Sequence, residues 1–554
     1  MTTQTSSNPN ATVDANSGFC YDSRTFHSLR PNVPLPPPSQ PLSLTDYALS
    51  LIPPAAVSTG TSALIDAATD SRVSYSVFLG QVKSLTSSLQ SLTPLSKGHV
   101  ALILTPSTLH VPVLYFSLIS LGVTIAPVNP LSSQSELTHL VQLTKPTIAF
   151  ATSTAARNIP SLKFGTILFD SPLFLSMLHS NNINTHTVQV TQSDTAAILF
   201  SSGTTGRVKG VELTHRNFIA LIGGFHYLRN TVASNVEEPN PVSLFTLPLF
   251  HVFGFFMMVR AIAMGETLVL MQRFDFQHML KAVQRYKITY MPVSPPLILA
   301  LAKSELVKNY DLSSLRFLGS GGAPLGKDLA HHFKAKFPNV DIAQGYGLTE
   351  SGGGAARILG PEENLRHGSV GRLAENMEAK IMDPVTGEAL GPGQKGELWL
   401  RGPTIMKGYM GDEKATAETL DSEGWLKTGD LCYFDSEGFL YIVDRLKELI
   451  KYKAYQVPPA ELEHILHANP EIADAAVVPY PDENAGQIPM AYIVRKPGSN
   501  ITEDQVMEFV AKQVSPYKKI RRVSFIKSIP KSPAGKILRR ELVDYALSSG
   551  SSKL

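Results

Sequence analysis

Short apolar runs recur along the chain and alternate with stretches whose apolar residues return every three or four positions. Val100-Leu104, Thr195-Phe200, Val242-Leu247, Thr267-Met271, Ile288-Met291 and Leu315-Gly319 have the length and composition of buried strands. Helical spacing marks His215-Tyr227, Gln277-Tyr286, Leu297-Lys303 and Lys327-Lys336. This alternation predicts an α/β core with a mostly parallel sheet. The most apolar stretch, Leu244 to Met271, is interrupted by His251, Arg260 and Glu266. It therefore reads as a buried strand–helix–strand and not as a membrane span.

The pattern changes after Gly396. Glu397-Leu400 and Leu431-Val443 read as antiparallel strands, with Asp435-Ser436-Glu437-Gly438 as a turn. A charged run, Asp444-Arg445-Leu446-Lys447-Glu448, leads into a last block. That block mixes helices (Pro459-His467, Glu503-Val514) with strands (Ala473-Pro479, Met490-Val494, Arg522-Ile526). It reads as a small α+β domain over 445–551, following a large domain over 41–444. Residues 1–40, rich in Ser, Thr, Asn and Pro, are expected to be loose or extended.

Composition narrows the classes. A length of 554 residues calls for roughly two to four domains or subdomains. Lys plus Arg is 49 against 46 Asp plus Glu, a net +3 that gives no reason to expect nucleic acid as a partner. Two cysteines, Cys20 and Cys432, fit a reducing intracellular compartment. The N-terminus has no basic-then-apolar signal pattern. Ser552-Lys553-Leu554 at the end has the form of a peroxisomal address, which would make an import receptor a partner.

One loop carries the clearest chemistry. Ser201-Ser202-Gly203-Thr204-Thr205-Gly206-Arg207-Val208-Lys209-Gly210 follows a predicted buried strand. Its amides and hydroxyls can donate to phosphate oxygens, and Lys209 adds a full positive charge. A plain surface loop would not need that lysine at that spacing. Gly321-Gly322-Ala323-Pro324-Leu325-Gly326-Lys327 nearly spells a second phosphate loop. There Asp328 stands where a magnesium-binding hydroxyl is required, so the P-loop reading fails. No G-x-S-x-G elbow occurs, so a Ser-His-Asp hydrolase lacks its signature.

Five motifs then fall in one order: the Ser201–Gly210 loop, Gln344-Gly345-Tyr346-Gly347-Leu348-Thr349-Glu350-Ser351, Thr428-Gly429-Asp430, Asp444 to Glu448, and Pro533-Ala534-Gly535-Lys536. In this the chain resembles adenylate-forming enzymes, and in particular plant 4-coumarate–CoA ligase-like proteins of the peroxisomal branch. Acyl-CoA synthetases and firefly luciferase are more distant relatives. The resemblance implies a large N-terminal domain of stacked αβα sheets with a barrel-like subdomain, and a small mobile C-terminal lid. It also implies ATP, Mg2+ and coenzyme A, and a small carboxylic acid as substrate.

Residue roles follow from the same resemblance. Ser201, Ser202, Gly203, Thr204, Thr205, Lys209, Gly322, Gln344, Gly345 and Thr349 match nucleotide-binding positions. Glu350 matches the magnesium ligand. Asp430 and Arg445 match ribose and phosphate contacts, and Lys447 and Lys451 match lysines on the AMP moiety. Lys536 matches the lysine that bridges carboxylate and α-phosphate during adenylation, and His251 a histidine beside the acyl-adenylate. Lys453 and Ala454 match a Lys-Gly pair that meets coenzyme A; the methyl of Ala454 would narrow that path or restrict the backbone. Arg273 matches a basic position near the coenzyme's phosphates, though a solvated surface charge explains it equally well.

After His251 the run Val252-Phe253-Gly254-Phe255-Phe256-Met257 places Phe where hydroxycinnamate-specific relatives carry Tyr and Asn. Phe253, Phe256 and Met257 would form an apolar acyl wall, with Gly319, Gly321, Gly352, Gly353 and Gly354 leaving volume. That favours a medium-chain fatty acid, an oxylipin precursor or an unsubstituted cinnamate. Alternatively these aromatics only pack the core and carry no information about the acid; a hydroxycinnamate is the alternative substrate. An enzyme using another acceptor than coenzyme A, and a non-catalytic acyl or nucleotide binder, are the rival functions.

Overall fold

The computed structural model describes residues 12–180, 186–201, 208–232, 241–453 and 455–550. The expected alternation folds into two large sheets of mainly parallel strands. One runs Gly408–Tyr409, Lys209–Thr214, Thr195–Ser201, Thr124–Pro127, Val100–Leu104, Ile148–Ala151, Thr166–Leu168. The other has nine strands, whose parallel centre is Phe317–Ser320, Tyr290–Val293, Val242–Phe245, Thr267–Leu270 and Ser62–Asp66. These strands are apolar on both faces because helices cover both. The helices Leu44–Ser50, His110–Ser120, His215–Val232 and Val252–Ala263 pack on one another within the largest core.

The apolar stretch resolves as expected into the strand Val242–Phe245, the helix Val252–Ala263 and the strand Thr267–Leu270. Apart from Arg260, which pairs with Glu266, the helix is apolar all round and correspondingly buried. Gly254 is required in its first turn, since a Cβ there would lie 2.1 Å from the Pro248 carbonyl oxygen.

A third, antiparallel sheet carries Glu378–Met382, Gly396–Arg401, Leu426–Phe434 and Leu440–Arg445. Its far edge corrects the expectation of a loose N-terminal segment. Phe19–Cys20 pairs with Thr25–His27, which pairs in turn with Glu378–Met382. Phe19 and Phe26 are fully buried, and Phe26 stacks on Phe434 at 4.4 Å. Two aromatic anchors tie down a stretch whose average composition is polar; the residues before 12 lie outside the described residues.

The strand Leu440–Arg445 ends that sheet, and Ile450–Tyr452 begins a five-stranded one. There the long hairpin Ile472–Asp482 and Gly486–Arg495 packs with the helices Pro459–Ala468, Glu503–Ala511 and Arg539–Gly550 around separate apolar clusters. Helix Pro459–Ala468 also rests on helix Lys327–Lys336 of the large domain. Both cysteines are buried free thiols. Among the described residues no helix is long and apolar enough to cross a membrane.

Candidate active site

The site grows from the carboxyl ends of parallel strands, where open α/β sheets present their loops. Thr195–Ser201 and Lys209–Thr214 are antiparallel neighbours, with Lys209 opposite Ser201. The loop between them therefore begins and ends at one point. Ser202, Gly203, Thr204 and Thr205 lie outside the described residues. The strand Asp341–Tyr346 runs into a 3-10 turn, Thr349–Ser351. That turn brings Glu350 to Ser201, whose hydroxyl donates to Glu350 Oε1 at 3.1 Å.

Tyr409 donates to the same oxygen at 2.9 Å, and the ammonium of Lys209 lies 4.4 Å from the centre of the Tyr409 ring. Burial beside Glu350 pushes the Tyr409 hydroxyl up, so it remains a donor. Both hydrogen bonds fall on one carboxylate oxygen. A single carboxylate flanked by hydroxyls suits Mg2+, which takes one or two carboxylates and completes its shell with phosphate oxygens and water. Among the described residues no group of three or more His, Cys, Asp or Glu could hold a metal alone.

Asp430 and Arg445 face each other across the hairpin Leu426–Phe434 and Leu440–Arg445, Arg445 Nε at 3.4 Å from Asp430 Oδ1. Tyr346 donates to the other oxygen at 2.5 Å. Asp430 is only 4% exposed; burial raises its pKa, opposed by Arg445 and the Tyr346 hydroxyl. Gly429 donates to Glu397 at 3.0 Å, which fixes the turn before Asp430.

His251 caps the helix Val252–Ala263. The Phe253 amide points to its Nδ1 at 3.3 Å, so the neutral ring carries its proton on Nε2. Burial, with Lys536 nearby, lowers its pKa to about 4. Lys536 arrives from the other domain in a tight loop: Ser532 donates its amide to the Lys536 carbonyl at 2.7 Å, and its hydroxyl accepts from the Lys536 amide at 3.1 Å. Gly535 is left-handed, φ +82°, at the turn. Burial, then Arg445, brings Lys536 down to about 8, against the pull of Glu448 and Asp430.

These groups enclose one cavity of about 580 Å³. Ser201, Lys209, His251, Gly322, Thr349, Glu350, Arg445, Lys447 and Lys536 line it, joined by Tyr409 and Glu397. Asp430 stands behind Arg445, off the cavity wall. Gln344 and Gly345 lie within their strand. Lys451 and Lys453 belong to the hairpin Ile450–Val457, and Arg273 is exposed after the strand Thr267–Leu270; none of the three reaches the cavity wall. Ala454 lies outside the described residues. Lys327, the lysine of the rejected P-loop, packs against Gly368.

The acyl wall differs from expectation. Phe253, Phe256 and Met257 do not line the cavity, and the volume beside the glycines is filled. A Cβ on Gly321 would meet the Phe253 ring at 3.2 Å, one on Gly353 the Phe256 ring at 2.5 Å, and one on Gly319 the Tyr290 hydroxyl at 2.2 Å. The glycines make room for aromatic side chains. Sequence reasoning missed Tyr346, Tyr409 and Tyr290. Tyr346 stood inside a quoted motif, but the other two come from short strands with no chemical signature.

The AMP-binding enzyme family matches residues 54–410, and its C-terminal domain matches 461–536. The chain belongs to this family. It is 60% identical to 4-coumarate–CoA ligase-like 9 of Arabidopsis thaliana, over 99% of this chain and all of that protein. Peroxisomal OPC-8:0-CoA ligase 1 of the same plant is 44% identical over 97% of this chain and 98% of its own length. The chain is thus also a 4-coumarate–CoA ligase-like protein, an enzyme of the acid–thiol ligase class. ATP-bound MatB of Rhodopseudomonas palustris shares the fold with a TM-score of 0.80 at 23% identity, over 91% of this chain and 99% of that one. An o-succinylbenzoate CoA synthetase of Bacillus subtilis, in complex with an acyl-adenylate, gives 0.74 at 25%, over 90% and 97%. The match to these solved structures agrees with the α/β fold expected from the sequence, a large N-terminal domain followed by a small C-terminal one.

Proposed function

We propose that this chain is an ATP-dependent acid–CoA ligase. The observation that carries the reading is that Lys536 from one domain and Ser201, Lys209, Thr349 and Glu350 from the other border one cavity. In the first half-reaction a carboxylate oxygen of the acid attacks the α-phosphorus of ATP. The bond to pyrophosphate breaks and acyl-AMP remains. Lys536 and Lys209 place positive charge where negative charge builds, which favours the transition state over the ground state. Thr349 donates to the α-phosphate. Tyr346 and Arg445 hold Asp430 toward the ribose, and Lys447 and Lys451 serve the AMP moiety. Glu350 would hold Mg2+, which shields the phosphate charge. His251, neutral, presents Nε2–H beside the acyl carbonyl.

In the second half-reaction the thiol of coenzyme A attacks the acyl carbon and AMP leaves. The small domain turns about Asp444–Lys447, withdrawing Lys536 and bringing the Lys453–Ala454 face to the site; Arg273 meets the coenzyme's phosphates. Alternating the two arrangements keeps the mixed anhydride from water.

The acid in this reading has an apolar body, lying beside His251 against Phe250 and Val252 of the cavity wall. One observation favours a second reading, a hydroxycinnamate. The Tyr290 hydroxyl, over Gly319, has no hydrogen bond among the described residues. It could serve a ring hydroxyl from the far side. The ending Ser552-Lys553-Leu554, outside the described residues, and the 44% identity to a peroxisomal ligase support peroxisomal import. A fluorescent protein fused ahead of these residues would report it.

The deciding experiment is a panel of octanoate, cinnamate and 4-coumarate with purified enzyme, with and without coenzyme A. We expect AMP release and acyl-CoA only when the coenzyme is present, and loss of acid-dependent pyrophosphate exchange in Lys536→Ala with ATP binding kept. Steady turnover without coenzyme A, or intact exchange in the variant, contradicts the reading. Clear preference for 4-coumarate over both other acids replaces the apolar acid with the hydroxycinnamate.

A further inference from the structure

Among the described residues, three of the contacts between the small domain and the large one are well separated, and two of these lie at opposite ends of one helix. At the start of Pro295–Lys303, the Lys536 loop sits against Ser294 and Pro296; a Cβ on Gly535 would lie 2.6 Å from Ser294 Oγ. At its end, the Lys303 ammonium donates to the carbonyl of Ile472 at 2.6 Å. Nine helical residues set these points about 13 Å apart. The third point is the His464 ring, 3.0 Å from where a Cβ on Gly326 would stand, just before helix Lys327–Lys336. Three points not on one line fix the pose of a rigid body.

Lys303 is not needed to finish its own helix. Lys336 already donates to the carbonyls of Leu301, Ala302 and Ser304 at 2.8–3.1 Å. On the partner side, pairing along the hairpin shifts register between Ile472 and Asp474, which frees the Ile472 carbonyl for this contact. The surroundings are balanced. Burial and Lys496 disfavour the Lys303 charge and Asp474 favours it, but Asp474 is already bonded to Lys531 at 2.5 Å and His467 at 3.3 Å. Such a contact is strong enough to bias a domain orientation and weak enough to release it.

We propose that Lys303 is a positioning residue for the first half-reaction: its bond to Ile472 latches the small domain in the orientation that inserts Lys536 into the cavity. This rests on the ligase reading for its chemistry, though not for its geometry. Lys303→Met keeps the apolar stem and removes the donor. In the full-length variant, acid-dependent pyrophosphate exchange should fall about tenfold, the size expected for one charge-assisted hydrogen bond, in kcat with KM for ATP little changed. Transfer from supplied acyl-AMP to coenzyme A should hold or rise, and Lys303→Arg should recover most of the exchange. Amide hydrogen exchange should speed up in helix Pro459–Ala468 and in the 532–536 loop of the Met variant only. Unchanged amide protection, or an equal fall in both half-reactions, overturns the latch. The amide measurement is read whether or not any acid is turned over, so failure of the ligase reading is told apart from failure of this one.

Discussion

Lys536 carries its charge into a cavity that penalises it, and this gives the site a pH signature. Burial and Arg445 lower its pKa to about 8, so in the free enzyme it is charged below that value and neutral above it. The kcat/KM of pyrophosphate exchange should therefore fall as pH rises through about 8; a profile that stays flat through about pH 9.5 would count against the role. His251 contributes no step near neutrality, because burial holds it at about 4 and its ring stays uncharged through the working range. Asp430 shows why residue type alone is a weak guide. The sequence offers a carboxylate, but Tyr346 and Arg445 aim it, and both contacts span many residues of chain.

At the scale of elements, the helix Val252–Ala263 sets the position of His251 by using it as the cap of its first turn. That geometry depends on close approach between Gly254 and the Pro248 carbonyl. Gly254→Ala should push the helix from the preceding loop and cost roughly 1–3 kcal/mol, measured by urea unfolding, with a raised KM for the acid. Wild-type stability and kinetics in this variant would mean that the helix does not control the histidine. The same apolar run was legible as a strand–helix–strand because its periodicity is strong. The aromatic filling beside Gly319, Gly321 and Gly353 was not, since it joins side chains from different elements at points no local pattern marks.

At the scale of the molecule, two bodies with separate cores share one cavity. Arg539 holds the smaller body together. It donates to Glu448 beside the junction at 2.8 Å, to Glu463 of helix Pro459–Ala468, and to the Val477 carbonyl at 2.9 Å. Removing it leaves the buried Glu463 and the half-buried Glu448 without their cation. Arg539→Ala should thus cost the small domain about 3–5 kcal/mol. Calorimetry should show its transition falling while that of the large domain stays in place. A single transition shifted as one would mean that the two bodies unfold together.

Order along the chain determined much of this protein: the alternating α/β core, the turn to antiparallel strands after Gly396, the small domain after Asp444, and the five motifs. Each is written in neighbouring residues, because local periodicity and loop composition are local properties. The tertiary structure decided what those motifs face. It tied Phe19 and Phe26 into a sheet, set Tyr409 on Glu350 and Tyr346 on Asp430, filled the glycine spaces with aromatics, and joined Lys303 to Ile472. These are contacts between distant parts of the chain, fixed by how helices and sheets pack and by nothing in the residues on either side.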